Sequence, residues 1–151
     1  MTMMNTENSA RQAWMGLLAR APAARLAALI DGAGAMPAFD WLRVPEIGGV
    51  MVRGRAGGTG APFNLGEMTV TRCALRLSGG QVGHGYVQGR DKTHAEQAAL
   101  VDALMQTDRA ADLRAKVLTP LQNTRDSAAT TRAAKAAATR VEFFTMVRGE
   151  D

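Results

Sequence analysis

The stretch from Val50 to Glu96 constrains the fold of this chain more than any other. Met68 to Leu77 is its clearest strand, and the period of two places Val70, Arg72, Ala74 and Arg76 on one face and Thr71, Cys73, Leu75 and Leu77 on the other. The turn Ser78-Gly79-Gly80 then reverses the chain into a second strand, Gln81 to Gln88, as in a β-hairpin. A helix predicted over His94 to Gln106 follows, with a broad apolar surface that suits packing across a sheet. These elements predict an α+β fold with an antiparallel sheet.

Further helices are predicted on both sides of this unit. Residues 1–9 are expected to be disordered, and two short helices follow at Ala10 to Ala19 and Pro22 to Ile30. Asp112 to Leu118 predicts another helical turn or two, stopped before Pro120. Gln122 to Thr139 predicts an alanine-rich helix with little apolar surface of its own to bury, which indicates that it is exposed or docks on another subunit.

The remaining strands are predicted from alternation. Trp41 to Pro45 is expected to be extended, Gly48 and Gly49 to bend, and Val50 to Arg55 to form a strand. Arg140 to Arg148 is apolar on both faces and predicts a buried strand or one completed by a partner. The sheet then has about four strands, and the length of 151 residues predicts a single domain over residues 1–151.

The positive charge of the chain is concentrated in residues 41–93. That segment holds seven basic and three acidic side chains and accounts for the whole net charge of +4, while it also holds most of the 16 glycines. Arginine beside glycine-rich backbone is suited to phosphate, because bare N–H groups can converge on an oxyanion that arginine neutralises. Two alternatives remain open: a solvated arginine face on a sheet, or arginines paired with the acids of another subunit. Nucleic acid is disfavoured, because lysine-rich runs and interleaved aromatic residues are lacking.

The loop Gly54-Arg-Ala-Gly-Gly-Thr-Gly60 matches no nucleotide-binding template. A P-loop requires Lys-Ser or Lys-Thr after its last glycine, whereas Ala61-Pro62 follows here, and no helix opens at the spacing of a dinucleotide fingerprint. The glycines are suited to positive φ in a turn, and the length of the loop favours a binding role.

Candidate substrate- or partner-binding residues lie in this loop, on the two hairpin strands and before the following helix. Arg72 and Arg76 share one face of their strand, and His84 stands between two glycines on the next. The complete set is Arg55, Gly57, Gly58, Thr59, Gly60, Arg72, Arg76, His84, Arg90, Asp91 and His94. No catalytic residue and no metal ligand is predicted.

The triplet His94-Ala-Glu96 matches the first half of the zinc deaminase signature. That chemistry also requires a downstream Pro-Cys-x-x-Cys, and the only cysteine of the chain is Cys73, so a deaminase is excluded. A capping box formed by Thr93 and Glu96 is the alternative. No signal peptide or membrane span is recognised, and we expect a cytoplasmic protein.

Several stretches together resemble the G subunit of the bacterial carbon–phosphorus lyase core complex. The stretches are Arg11-Gln-Ala-Trp-Met15, Gly57-Gly-Thr-Gly60, Thr71-Arg72 with Arg76-Leu77, Val87-Gln-Gly-Arg-Asp-Lys92 with His94-Ala-Glu96, and Arg140 to Gly149. They are spread from residue 11 to residue 149, so the resemblance extends over nearly the whole chain.

The resemblance implies membership of an assembly with H, I and J subunits, to which ATP-binding-cassette subunits attach peripherally. It implies a part in displacing adenine from Mg-ATP by a phosphonate, which gives a ribose 1-phosphonate 5-triphosphate. Mg-ATP is then a substrate of the complex, and this chain alone binds no cofactor and acts mainly in assembly. A secondary hypothesis is that Arg55 and the loop Gly57 to Gly60 touch the triphosphate or the phosphonate. The competing class is a free-standing phosphate- or nucleotide-binding protein.

Overall fold

The computed structural model describes residues 2–148, and within them the α+β class is confirmed. A three-stranded antiparallel sheet packs one face against a central helix, with two N-terminal helices beside it. The elements are α1 (Thr2–Arg20), α2 (Ala23–Gly32), β1 (Phe39–Arg55), β2 (Pro62–Leu77), β3 (Val82–Gln88), α3 (Lys92–Leu104), α4 (Ala110–Leu113) and α5 (Thr119–Arg148).

The sheet has the order β1-β2-β3, and its two hairpins differ greatly in length. β2 and β3 pair only from Val70 opposite Gln88 to Arg76 opposite Val82. β1 and β2 pair along almost their full length, from Phe39 opposite Leu77 to Arg55 opposite Pro62. The far half of the first hairpin therefore extends beyond the third strand.

Helix α3 crosses the sheet at close range because glycines on β3 meet alanines on the helix. A Cβ atom on Gly83 would overlap the carbonyl oxygen of Ala99, and one on Gly85 would overlap that of Ala95. These glycines leave the face of β3 towards α3 without side chains. Glycine allows the close approach of two backbones.

The core lies between this face of the sheet and the helices. Leu75 of β2, Val87 of β3 and Val101 of α3 are fully buried, and Leu18 of α1 and Leu26 of α2 complete the layer. The face of β2 with Thr71, Cys73, Leu75 and Leu77 is buried in this core.

Both N-terminal helices are present, and the first begins much earlier than predicted. α1 starts at Thr2 and includes most of the segment for which disorder was expected, while Met1 lies outside the described residues. Once Arg11 and Trp14 anchor the helix, each further turn toward the N-terminus adds backbone hydrogen bonds without a second nucleation cost. Pro22 precedes α2 as its N-cap instead of opening the helix.

The bend predicted at Gly48 and Gly49 is wrong, because β1 runs without interruption through both residues. Gly48 pairs with Val70 and Gly49 with Thr69, so hydrogen bonding to β2 keeps these glycines extended. The irregularities lie elsewhere, between Trp41 and Arg43, between Arg43 and Glu46, and between Val52 and Arg53. The extended segment at 41–45 and the strand at 50–55 are thus parts of one strand.

The C-terminal strand predicted at Arg140 to Arg148 is wrong, because this stretch is the end of helix α5. No glycine or proline follows Pro120 before Gly149, so nothing interrupts helix propagation from the alanine-rich part. The predicted burial concerns side chains that lie outside the described part of the structure.

The stop predicted before Pro120 is also wrong. A π-helical turn over Arg114–Leu118 joins α4 to α5, and Pro120 lies in the first turn of α5. Proline is tolerated in a first turn, where its missing N–H has no partner in any case.

Candidate functional site

The sequence-predicted site residues lie at three separate places in the described structure. Arg55 and the glycine-rich loop are at the tip of the long hairpin, Arg72, Arg76 and His84 are on the outer face of the sheet, and residues 90–94 open α3. A strand rises about 3.3 Å per residue, so the ten-residue step from Pro62 to Arg72 spans roughly 30 Å. One small ligand on this chain cannot contact both the tip and the sheet arginines.

The tip is an exposed turn that its glycines make possible. Gly57 and Gly58 have φ values of 61° and 79°, in the left-handed region that favours glycine. Gly57, Gly58 and Thr59 are exposed, and Arg55, which pairs with Pro62, is exposed beside them. The predicted positive φ is confirmed. A role in phosphate binding remains a prediction.

The hairpin arm, defined here as residues 50–68, is two-stranded and amphipathic. Val50, Val52, Phe63, Leu65 and Met68 share one face. The opposite face carries Met51, Arg53, Arg55 and Glu67. An isolated two-stranded hairpin is at best marginally stable in water. The arm therefore exposes an apolar face that the rest of the described chain does not cover.

A β-bulge in the arm places its most exposed apolar residue. Val52 pairs with Gly66 and Arg53 with Asn64, which leaves Leu65 as the extra residue on β2. Leu65 is 61% exposed and Phe63 is 45% exposed, and both are large apolar side chains. Bulges re-aim side chains and are common beside functional surfaces.

The outer sheet face holds the predicted arginine pair. Arg72 lies 3.7 Å from the Glu46 carboxylate, and both side chains are about half exposed. An exposed pair of this kind contributes little to stability. Arg76 and His84 are exposed on the same side of the sheet. The face is basic and accessible to a partner.

The residues before α3 have structural roles in this chain. The Asp91 side chain accepts a hydrogen bond from the backbone N–H of His94 at 3.0 Å, so Asp91 is the N-cap of α3 and the predicted Thr93 capping box is wrong. Aspartate at the N-cap satisfies an N–H group of the first turn. The buried His94 ring donates from Nε2 to the carbonyl oxygen of Leu18 at 2.9 Å, which ties α3 to α1. Arg90 is exposed beside them.

His94 also lines a cleft of about 740 Å³ between the end of α1 and the sheet, called here the α1 cleft. The wall from α1 carries Arg20, and the floor carries Met68 and Val70 of β2 with Tyr86 of β3. The full lining is Gly16, Ala19, Arg20, Ala21, Met68, Val70, Tyr86, Gln88, Gly89 and His94. Its position at the base of the hairpin arm was not predicted from the sequence.

Asp102 of α3 is a buried carboxylate that sequence reasoning missed. Its side chain is fully buried and accepts hydrogen bonds from Arg11 Nε and Nη2, from the Trp14 indole and from the His84 backbone N–H, at 2.8 to 3.2 Å. An aspartate among apolar residues of a helix was the available signal. The four donors satisfy the carboxylate and join α1, β3 and α3.

The described residues include neither an activated cysteine nor a metal-binding cluster. Burial raises the pKa of the Cys73 thiol from 9.0 to about 11, so the nucleophilic thiolate is disfavoured at neutral pH. Within residues 2–148, the described side chains of His, Cys, Asp and Glu form no group of three or more that could hold a metal ion.

No helix among the described residues is by itself long and apolar enough to span a membrane. Only the two N-terminal helices taken together, Asn5–Arg20 and Ala23–Gly32, have that length and apolar character, and a bend of 114° separates them.

Comparison with known proteins gives matches along nearly the whole chain. The family model described as phosphonate metabolism protein PhnG matches residues 9–149. A protein of Rhizobium meliloti (strain 1021) is 48% identical over 145 residues, which cover 93% of this chain and 90% of that protein. It is named alpha-D-ribose 1-methylphosphonate 5-triphosphate synthase subunit PhnG. The matched range of the family includes the hairpin arm, the α1 cleft and α5.

Proposed function

We propose an assembly role for this chain, which belongs to the family of phosphonate metabolism protein PhnG. In this proposal the chain is a subunit of alpha-D-ribose 1-methylphosphonate 5-triphosphate synthase, the enzyme named for its Rhizobium meliloti relative. The observation that carries an assembly role is the amount of structured surface that the described chain leaves uncovered.

Helix α5 is the largest part of that surface. Every residue from 122 to 139 is exposed, and the helix extends over 30 residues, or about 45 Å. Most helices in proteins are stabilised by packing of one face rather than by propensity. A partner that packs on α5 would supply this stabilisation.

The proposed partners are the H, I and J subunits of the carbon–phosphorus lyase core complex, with ATP-binding-cassette subunits attached peripherally, in the cytoplasm. The reaction of the complex is displacement of adenine from Mg-ATP by a phosphonate, with Mg-ATP as substrate. The family and the name of the relative support a subunit role in phosphonate catabolism. The individual partners rest on the resemblance described above.

Within the complex, we retain the proposal that the hairpin tip touches phosphate groups of the substrate. Arg55 and Gly57 to Gly60 are exposed or half-buried at the end of the arm, where a partner subunit can complete a site. Arg55→Ala should raise the KM of the assembled enzyme for Mg-ATP or phosphonate without loss of assembly. Arg53→Ala, two residues earlier on the same face of the arm, is the matched control. An unchanged KM for Arg55→Ala would show that the tip does not contact the substrate.

The alternative of a free-standing phosphate-binding protein has less support. The tip and the sheet arginines are about 30 Å apart along β2, and Arg72 already pairs with Glu46. The isolated chain should therefore show no strong heat of binding when titrated with Mg-ATP. Tight binding of Mg-ATP by the monomer would favour the alternative.

Reconstitution tests the proposed function. The chain is co-expressed with the H, I and J subunits and the ATP-binding-cassette subunits, and adenine release from Mg-ATP is measured with methylphosphonate, in the presence and absence of this chain. We expect the chain to co-purify with these subunits and adenine release to depend on it. A chain that stays monomeric, with adenine release unaffected by its omission, would contradict the proposal.

A further inference from the structure

We propose that the apolar face of the hairpin arm and the α1 cleft form one continuous docking groove for an apolar segment with acidic flanks, supplied by another subunit of the synthase. This inference rests on the proposed function and names the surface through which the chain binds a partner.

Continuity of the two surfaces follows from the register of β2. Met68 belongs to the apolar face of the arm, where it pairs with Val50, and it also lines the α1 cleft. Val70 follows on the same face of β2 and forms the cleft floor beside Tyr86. Phe63 and Leu65 continue this face toward the tip of the arm. One apolar path therefore runs from the cleft onto the arm.

The size and character of the path suit a protein segment. The α1 cleft is open, with a volume of about 740 Å³, and the arm adds exposed apolar side chains beyond it. Exposed apolar residues in such continuity mark protein interaction surfaces more often than isolated ones do. Tyr86, which is 46% exposed, provides an aromatic contact at the cleft end.

Basic residues around the groove indicate that the bound segment carries acidic residues on its flanks. Arg20 lines the cleft, and Arg72 stands on the face of β2 that carries Val70, opposite Tyr86 of β3. Arg72 has Glu46 as an exposed partner, which leaves the rim with a net positive charge. Carboxylates on the flanks of the bound segment would complement these guanidinium groups and favour the correct partner.

The positive charge around the groove disfavours a second copy of this chain as the occupant. Its most exposed helical stretch, residues 122–139, carries Arg125, Arg132 and Lys135 against Asp126. Docking this helix in the groove of another copy would place like charges beside Arg20. A different, acidic subunit avoids this repulsion.

The test separates the apolar contact from the charge. Leu65→Glu removes the apolar contact on the arm, whereas Arg72→Glu reverses a charge of the rim, about 23 Å away along β2. We expect Leu65→Glu to weaken binding of the purified chain to a complex of the H, I and J subunits by at least about tenfold. Arg72→Glu should weaken binding several-fold more than Arg72→Gln, and Tyr86→Ala should weaken binding at the cleft end of the groove.

Leu42→Glu is the matched control. Leu42 is also a leucine at a β1–β2 irregularity and is 52% exposed, but it lies at the opposite end of the hairpin. Its affinity should stay within about twofold of the unmutated chain, and the melting temperatures of all five isolated variants should match.

The outcomes separate the groove from the assembly role. If the unmutated chain does not bind the H, I and J subunits, the proposed function fails. If the unmutated chain binds, and Leu65→Glu binds equally well or no worse than Leu42→Glu, then the groove is not the docking surface, although the assembly role still stands. Equal losses in Arg72→Glu and Arg72→Gln would show that the bound segment has no acidic flank beside Arg72.

Discussion

The Arg11 guanidinium holds the buried Asp102 carboxylate through two hydrogen bonds, from Nε at 3.2 Å and from Nη2 at 2.9 Å. The same Nη2 donates to the carbonyl oxygen of Val82 at 3.1 Å, so this pair fastens α1 to both α3 and the edge of β3. Helix α1, which forms one wall of the α1 cleft, is therefore held in position by the buried Asp102 carboxylate.

Removal of this carboxylate should be costly. Asp102→Ala leaves the Trp14 indole, the His84 N–H and the Arg11 guanidinium without their acceptor, and we expect the free energy of unfolding to fall by about 3–5 kcal/mol. Urea denaturation of the isolated chain measures it. Asp112→Ala, which breaks the exposed pair of Asp112 with Lys116, should cost less than about 1 kcal/mol. Similar losses in the two variants would show that the Asp102 network is not a structural centre.

Close packing of β3 on α3 makes a second prediction. Gly85→Ala places a methyl group against the Ala95 carbonyl and the Cys73 sulfur, so the strand and helix must separate, at a cost of about 1–3 kcal/mol or more. Gly48→Ala is the control, because a Cβ atom there meets open space. Its thermal unfolding should stay close to that of the unmutated chain. Equal stability of Gly85→Ala and Gly48→Ala would contradict the close approach.

The start of α3 distinguishes the observed cap from the one predicted from sequence. Asp91→Ala should lower the free energy of unfolding by about 1 kcal/mol, because the N–H of His94 loses its acceptor. Thr93→Ala should cost clearly less, since Thr93 is an exposed residue within the first turn. The reverse order in chemical denaturation would restore the Thr93 capping box.

The Cys73 thiol predicts a pH dependence. Its pKa is about 11 in the folded chain, raised chiefly by burial, whereas an unfolded thiol ionises near 9.0. Between these values the folded state holds the proton more tightly, so the free energy of unfolding falls as pH rises from 9 to 11, by up to about 1.4 kcal/mol per pH unit. Cys73→Ala should show a shallower decline over that interval. Identical slopes for the two proteins would mean that the thiol is not protected by burial.

Local sequence patterns predicted those elements that depend on residues close together in the chain. The period of two in Met68 to Leu77 separated the buried face of β2 from the face with Arg72 and Arg76, and α3 packs on the side of β3 that its glycines leave bare. The length of the first hairpin was not predictable in this way. Gly48 and Gly49 favour a bend locally, and only their pairing with β2, opposite Val70 and Thr69, holds them in a continuous strand.

The arrangement of the candidate residues was not predictable from the sequence. Arg55, Arg72, Arg76 and Arg90 are exposed, but the long β2 strand separates Arg55 from the sheet arginines, a separation that no spacing in the sequence reveals. Arg140 to Arg148 shows the opposite error, since its strand-like alternation was overridden by continuation of α5. Asp102 and the α1 cleft depend on long-range contacts among α1, β3 and α3.

Amide hydrogen exchange of the chain alone and in a complex with the H, I and J subunits tests most directly the claim that partners cover its exposed surface. The account predicts slower exchange in the complex for residues 50–68 and 122–139, with little change in the β2–β3 pairs that the chain already protects by itself. Unchanged exchange in both segments, within a complex that contains this chain, would contradict it.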